Sequence, residues 1–296
     1  MTAVESPPAS HQAANISPLA AQIIRAVHDY RFLTSPQVAE LFSRDTRASE
    51  LILKRLVDAG YLAGVRRPVL AAETPDTVYA LAQRGADLIA SRLGIDRRLV
   101  RWRKYHNYVG LPFVEHRLAV NDVRIALTLG TQSLAYGIEE WRYELPVRED
   151  VDDPDEGVPP LVFRPDAYLR CLMAPRRLHL FLEVDMGTET HGRFATKIRR
   201  YLAYKDSSIF RHRFGGRSFR VLVVGPTVTR VNALRRVTEA QGGQRVFWFA
   251  PLVDVTAEKI AEPVWQLAGE STKARLFEPE NPQTCFPLAP RQHHAV

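Results

Sequence analysis

Apolar positions first recur at helical spacing at Leu19, Ile23, Ile24 and Val27, so a helix is expected to open near Pro18 and to end at Tyr30-Arg31-Phe32-Leu33. A second, short helix is expected after Thr34-Ser35-Pro36, where a capping hydroxyl precedes a proline in the first turn, and it closes at Leu41-Phe42. A third runs from about Thr46 through Leu51, Ile52 and Leu56 to Ala59-Gly60, with the glycine as the stop. The pattern then changes. Tyr61–Pro68 and Thr77–Leu81 read as two short strands joined by a basic tip at Arg66 and Arg67. Helical spacing returns over Gln83–Leu93. Asp96–Tyr108 reads as one more helix, in which Arg97, Arg98, Arg101, Arg103 and Lys104 mix with Trp102, Tyr105 and Tyr108.

From Leu111 onward the chain changes character. Phe113, Leu118, Val120, Val123, Ile125 and Leu127 mark a strongly apolar helix that also bears Glu115, His116, Asn121 and Asp122. A strand over Ile138–Leu145 precedes an acidic, proline-rich loop from Arg148 to Pro160. Leu161–Arg170 has the aromatic and β-branched character of a strand, with Asp166 directly after a proline. Leu178–Asp185 reads as a more buried strand, stopped at Met186-Gly187-Thr188. A basic, aromatic helix over Arg193–Tyr204 follows, then a strand at Phe219–Val224, a helix at Thr229–Gln241 and a strand at Arg245–Phe249. The element order of this half is αβββαβαβ. The expected division is a disordered Ala/Ser/Pro-rich arm (1–17), a first domain (18–94), a basic aromatic linker helix (95–110), a second domain (111–252) and a partly disordered C-terminal extension (253–296).

The chemistry concentrates at the two carboxylate strands. Side chains alternate across a strand, so Glu183 and Asp185 share one face while Leu182 and Val184 take the other. Pairing this strand with its predecessor brings in Asp166. Three converging carboxylates repel one another unless a cation, a proton or a basic side chain lies between them. All-oxygen ligands of this kind suit magnesium or manganese. Lys197, with Tyr201 and Tyr204 on neighbouring turns of the following helix, is placed to reach the same cluster. Most acidic residues at strand ends are solvated surface charges. These three sit in apolar strands, where an unpaired carboxylate is expensive to bury. His116 admits two readings, a satisfied core histidine or a member of the site beside Glu115, and Glu189 and His191 follow in rank.

Length and composition narrow the partners. The chain has 296 residues, 46% hydrophobic and 25% charged, as an ordinary globular protein has. The net charge of +7 is uneven: residues 1–110 hold 15 Lys and Arg against 10 Asp and Glu, whereas residues 111–296 hold 25 against 23. The first third therefore carries most of the attraction for a polyanion. Cys171 and Cys285 have no metal-ligand spacing, so neither a disulfide framework nor a zinc site is indicated. No run of apolar residues is long enough to span a bilayer and no signal peptide is visible, so a cytoplasmic location with no membrane contact is expected.

The three helices and two strands of the first domain resemble the winged helix-turn-helix fold, in which the third helix enters the major groove of double-stranded DNA. That resemblance places Arg44, Arg47, Ser49 and Lys54 nearest DNA and sets Arg66 and Arg67 on phosphates from the wing. Winged helices also serve as protein-protein modules; the basic excess favours DNA. The basic aromatic segment 95–110 reads equally as a nucleic-acid track or as a solvated linker.

The order of the second half, with Pro165-Asp166 on one strand and Glu183 on the next, resembles the PD-(D/E)xK nuclease superfamily. More specifically, Glu115-His116-Arg117-Leu118, Arg164-Pro165-Asp166-Ala167, Phe181-Leu182-Glu183-Val184-Asp185 and Lys197-Ile198-Arg199-Arg200-Tyr201 resemble the replication-relaxation family over residues 18–250. The resemblance implies an α/β (α+β) chain with a mixed central sheet and metal-dependent phosphodiester cleavage. Asp166, Glu183 and Asp185 would hold magnesium or manganese, with Lys197, Glu115 and His116 beside them. It also implies a role in DNA relaxation or replication on plasmids or mobile elements. One departure stands out: two residues after Glu183 the superfamily has lysine, and this chain has Asp185. Either Lys197 supplies the ammonium, or an extra carboxylate holds metal, or the fold persists without chemistry. Two functions follow, a DNA-nicking nuclease, with Tyr201 or Tyr204 as a conceivable nucleophile, or a non-catalytic DNA-binding regulator or replication accessory protein. Winged helices often act in pairs, so a homodimer is an expected partner state.

Overall fold

The computed structural model describes residues 16–65, 77–132, 134, 136–144, 147–148, 162–173, 176–216 and 218–277. The chain divides into two compact units, with the break between Gly110 and Leu111. In the first unit α1 (Pro18–Tyr30) is capped by Ser17, whose side chain accepts from the Ala20 N–H, and buries Ile23, Ile24, Val27 and Tyr30 along one stripe. A short strand, β1 (Phe32–Thr34), leads directly into α2 (Ser35–Leu41). There Thr34 and Gln37 form a reciprocal capping box, each side chain accepting the other's backbone N–H. Then come α3 (Thr46–Asp58), capped by Asp45, the hairpin strands β2 (Leu62–Val65) and β3 (Val78–Leu81), and α4 (Gln83–Leu93). The sheet order is β1-β3-β2, antiparallel throughout, which with the three helices is the arrangement of a winged helix. Arg66 and Arg67 lie outside the described residues. Three residues are too few to show a strand period, which is why β1 reads in the sequence as the end of α1.

The expected linker helix over 95–110 is not one. Two single 3-10 turns, Arg97–Val100 and Lys104–Asn107, stand in its place. Arg101 between them adopts φ 54°, a left-handed conformation that ends a right-handed helix. The segment belongs to the first unit. His28 Nε2 lies 3.1 Å from the Val100 carbonyl, Arg31 donates to the His106 carbonyl, and Asn107 Nδ2 donates to the Leu81 carbonyl.

The second unit opens with α5 (Leu111–Gln132) and is organised on a seven-stranded mixed sheet. Its elements are β4 (Gly137–Tyr143), a small separate ladder of β5 (Val147–Arg148) and β6 (Val162–Phe163), β7 (Ala167–Met173), β8 (Arg176–Val184), α6 (His191–Asp206), α7 (Ile209–Phe214), β9 (Arg220–Gly225), α8 (Val228–Ala240), β10 (Phe247–Pro251), β11 (Trp265–Leu267) and β12 (Lys273–Ala274). The sheet order is β12-β11-β10-β9-β8-β7-β4. Pairing is antiparallel on the β4-β7-β8 side and parallel across β8-β9-β10. Alternation along β8 divides the core into two layers. Leu180, Leu182 and Val184 pack with Val120, Val123 and Leu127 of α5. Phe181 packs with Phe194, Ile198, Tyr201 and Tyr204 of α6 and with Val231 and Leu234 of α8.

Two expectations change here. The strand read over Leu161–Arg170 is interrupted, because β6 ends at Phe163 and β7 begins at Ala167. Pro165 in the gap has no N–H to offer a ladder, and Asp166 donates its own to the Leu182 carbonyl at 3.0 Å. The residues after 252 are also no loose extension as far as Phe277. Val255, Ile260, Trp265, Leu276 and Phe277 are all buried in the α5 layer, and β11 and β12 complete the sheet edge. Among the described residues no helix is long and apolar enough to cross a membrane.

α5 comes close to this last segment at Gly130, where a Cβ would stand 2.1 Å from Ile260 Cγ2 and 2.9 Å from the Ala257 carbonyl oxygen. Gly130→Ala is expected to destabilise the second unit by about 1–3 kcal/mol despite the better helix propensity of alanine. Denaturant unfolding checks this; a stabilised variant would contradict the packing of the 253–277 segment.

Candidate active site

The site lies at the C-terminal end of β8, the strand on which the sheet changes from parallel to antiparallel. Glu183 is the penultimate residue of that strand and its side chain is only 4% exposed. In the antiparallel register Ala167 pairs with Leu182, which sets Asp166 opposite Glu183 at the same sheet end. The sheet thus brings together two carboxylates 17 residues apart in sequence.

Each carboxylate is held by its own set of donors. Asp166 Oδ2 accepts the Val184 N–H at 2.7 Å and faces His116 Nε2 at 3.2 Å. The same imidazole nitrogen lies 3.0 Å from the Val184 carbonyl. A carbonyl only accepts, so Nε2 carries the proton and shares it between the two oxygens. The Asp166 bond raises the His116 pKa above the ordinary imidazole value, against a smaller opposing effect of burial. His116 is therefore a hydrogen-bonded part of this strand end, reached from α5 on the opposite face of the sheet.

Glu183 is gripped from α6. Lys197 Nζ donates to Oε2 at 2.7 Å and the Tyr201 hydroxyl donates to Oε1 at 2.6 Å, from positions one helical turn apart. Burial pushes the Glu183 carboxyl up to about 7; Lys197 pulls against that shift and Asp166 adds to it. Burial works against the Lys197 ammonium as well, yet Glu183 outweighs it and holds the lysine charged. These two directions pull apart, since a lysine held charged needs an anion beside it. The 2.7 Å contact decides for a carboxylate at Glu183 while Lys197 is in place, with burial making that anion costly. Lys197 Nζ also lies 3.3 Å from Glu189 Oε2, which adds Glu189 to the cluster.

Asp185 departs from expectation. It shares the Glu183 face, as alternation requires, but α8 takes it rather than α6. Arg230 Nε donates to Oδ2 at 2.7 Å and Nη2 to Oδ1 at 3.0 Å, and the Gly187 N–H caps Oδ2 at 3.0 Å. Such a bidentate pair occupies both oxygens. Arg230 was the residue sequence reasoning missed. A buried aspartate demands a partner, but nothing in the chain order says that the first turn of α8 supplies it. Glu115 is half-buried on α5 and His191 is exposed at the start of α6. Tyr201 and Tyr204 are both fully buried among Phe163, Phe181 and Phe219, so neither hydroxyl is open to an incoming phosphate. Among the described residues no group of three or more His, Cys, Asp or Glu side chains is placed to hold a metal ion. Among the described residues, Asp166 and Glu183 are the carboxylates that the strand register sets opposite each other.

In the first unit Arg44, Arg47 and Lys54 are exposed, the last two on α3 beside Arg55, Glu50 and Asp58. Ser49 is not on that surface. It is 0% exposed, because α3 turns Ser49, Leu53 and Leu56 inward along one stripe, so it is removed from the DNA-facing set.

Tyr201→Phe is expected to cost about 1–3 kcal/mol in denaturant unfolding, since it strips a buried carboxylate oxygen of its donor without changing the packing of the ring. An unchanged midpoint would mean that the Glu183 Oε1 contact carries no weight.

No curated protein sequence matches the chain. Among solved structures the restriction endonuclease FokI is similar, at 13% identity and a TM-score of 0.29, over 83% of this chain and 46% of that one; at that score the likeness carries no argument, and the chain spans less than half of its length. The model of the replication-relaxation family matches residues 24–218, a span that runs from within α1 past the end of α7 and takes in His116, Asp166, Glu183 and Lys197, and on that match the chain belongs to the replication-relaxation family.

Proposed function

We propose that the protein binds double-stranded DNA through its winged unit and cleaves a DNA strand in its second unit, using magnesium or manganese held by Asp166 and Glu183. The observation that carries this reading is the buried Glu183 carboxylate set opposite Asp166 at a strand end, with the Lys197 ammonium on it. Two carboxylates fit a small, strongly hydrated divalent ion, which takes one or two from the protein and completes its shell with water and phosphate oxygens. When bound, such an ion polarises a phosphodiester and lowers the pKa of the attacking water. The other side chains divide the remaining work. His116 and the Val184 N–H fix the Asp166 carboxylate, and Tyr201 fixes one oxygen of Glu183. Lys197 brings to this carboxylate the ammonium that the PD-(D/E)xK pattern places two residues after the glutamate. From there it is available to stabilise negative charge growing on a phosphate. Asp185 serves architecture, tying the end of β8 to α8 through Arg230.

A second reading is supported by the same geometry. Lys197 already neutralises Glu183, and among the described residues no third ligand joins the two carboxylates. A DNA-binding regulator or replication accessory protein on this scaffold would need nothing more.

Incubation of supercoiled plasmid with magnesium and then manganese separates the two. Nicking is expected in the wild type, reduced about 10²-fold or more in Asp166→Ala, Glu183→Ala and Lys197→Met. DNA that stays intact with either metal while gel shifts show salt-sensitive binding establishes the regulator instead. Asp185→Asn provides an independent check: it is expected to lower stability by about 1–3 kcal/mol while manganese affinity, read by calorimetric titration, stays at the wild-type value. A lost affinity without lost stability would return Asp185 to the metal.

A further inference from the structure

Beside the carboxylate pair lies an open groove of about 280 Å³ whose walls are mostly cationic. Arg193, Lys197 and Arg200 come from α6, and Arg164 comes from the break between β6 and β7, directly before Pro165-Asp166. Glu189 is the acidic residue of the lining. Lys197 sits between Glu183 and Glu189 and is ion-paired with both. The flanking arginines differ. Arg164, Arg193 and Arg200 are exposed, and among the described residues none of their side chains makes an ion pair or hydrogen bond. Arg193 and Arg200 precede and follow Lys197 by four and three residues, so all three lie on one side of α6.

Three unneutralised guanidinium groups around one groove are unfavourable to the protein alone and suit an anion with several charges. We propose that this groove binds the phosphodiester backbone of duplex DNA, as a second DNA-contact surface that belongs to the C-terminal unit and is separate from the winged helix. The proposal rests on the reading of DNA as the partner and adds where the strand lies. Arg193 and Arg200 are seven residues apart, roughly 10.5 Å along a helix, which spans about three base-pair rises of 3.4 Å when α6 lies along the duplex axis. Arginine rather than lysine at all three flanking positions supplies forked donors that match phosphate oxygens. A backbone lying there passes over Lys197 and reaches the rim of the Asp166–Glu183 pair.

The test measures binding of the full-length chain to a short duplex in EDTA, by fluorescence anisotropy over about 50–200 mM salt. Arg193→Ala/Arg200→Ala is compared with Arg211→Ala/Arg236→Ala, which removes the same charge from exposed positions on α7 and α8 outside the groove. The groove pair is expected to weaken binding about tenfold or more at the lower salt and to flatten the slope of log K against log salt by about 2, at about 0.9 per lost phosphate contact. The control pair is expected to stay near the wild type. Equal effects of the two pairs, whether both fall or neither does, overturn the proposal. Because no metal is present, a failure of plasmid nicking would refute cleavage and leave this binding site standing, while unchanged binding in the groove pair would refute the groove alone.

Discussion

Glu183 is a carboxylate in a place where a carboxylate is hard to keep. It sits on the inner strand of the sheet, in the layer filled by Phe181, Tyr201 and Phe219, and water reaches almost none of it. Burying an unpaired anion there costs several kcal/mol, so the fold must bring donors to it. It does so with one helix: α6 contributes the apolar stripe of Phe194, Ile198, Tyr201 and Tyr204 that closes the layer, and the same helix carries Lys197 and the Tyr201 hydroxyl to the two Glu183 oxygens. Packing and site are therefore one arrangement. The rest of the strand end follows the same rule, with His116 from α5 on Asp166 and Arg230 from α8 on Asp185. The helices α5, α6 and α8 each deliver at least one side chain to an acidic residue near the end of β8.

Much of this was legible in the chain. The apolar run Leu180-Phe181-Leu182-Glu183-Val184, stopped at Met186-Gly187, reads as a buried strand with an acid facing one layer, and helical periodicity places Lys197 and Tyr201 on a shared side. The capping hydroxyl of Thr34 and the glycine stop at Gly60 marked elements that the structure contains. What stayed hidden was which partner each acid meets. Alternation gives a face, not the helix above it, and the face of Glu183 and Asp185 is shared between α6 and α8. The three carboxylates do not share one partner: α5 holds Asp166, α6 holds Glu183 and α8 holds Asp185.

The other misses have equally local causes. Ser49 is polar by type, which suggests the DNA-facing surface, but its position four residues before Leu53 and seven before Leu56 puts it on the buried stripe of α3. Basic and aromatic residues in alternation suggested a helix over 96–108, whereas the left-handed backbone at Arg101 divides it into two turns held by His28, Arg31 and Asn107. The apolar residues between Val255 and Phe277 are spaced irregularly, and their place in the α5 layer comes from tertiary packing that no period announces.

Anomalous scattering from crystals grown with manganese and a short DNA duplex tests most directly whether Asp166 and Glu183 together form a cation site. The expected result is a peak bonded to oxygens of both carboxylates, at about 2.0–2.2 Å, with Asp185 still on Arg230. A map with no peak between them, and Lys197 still seated on Glu183 with DNA bound, would contradict it.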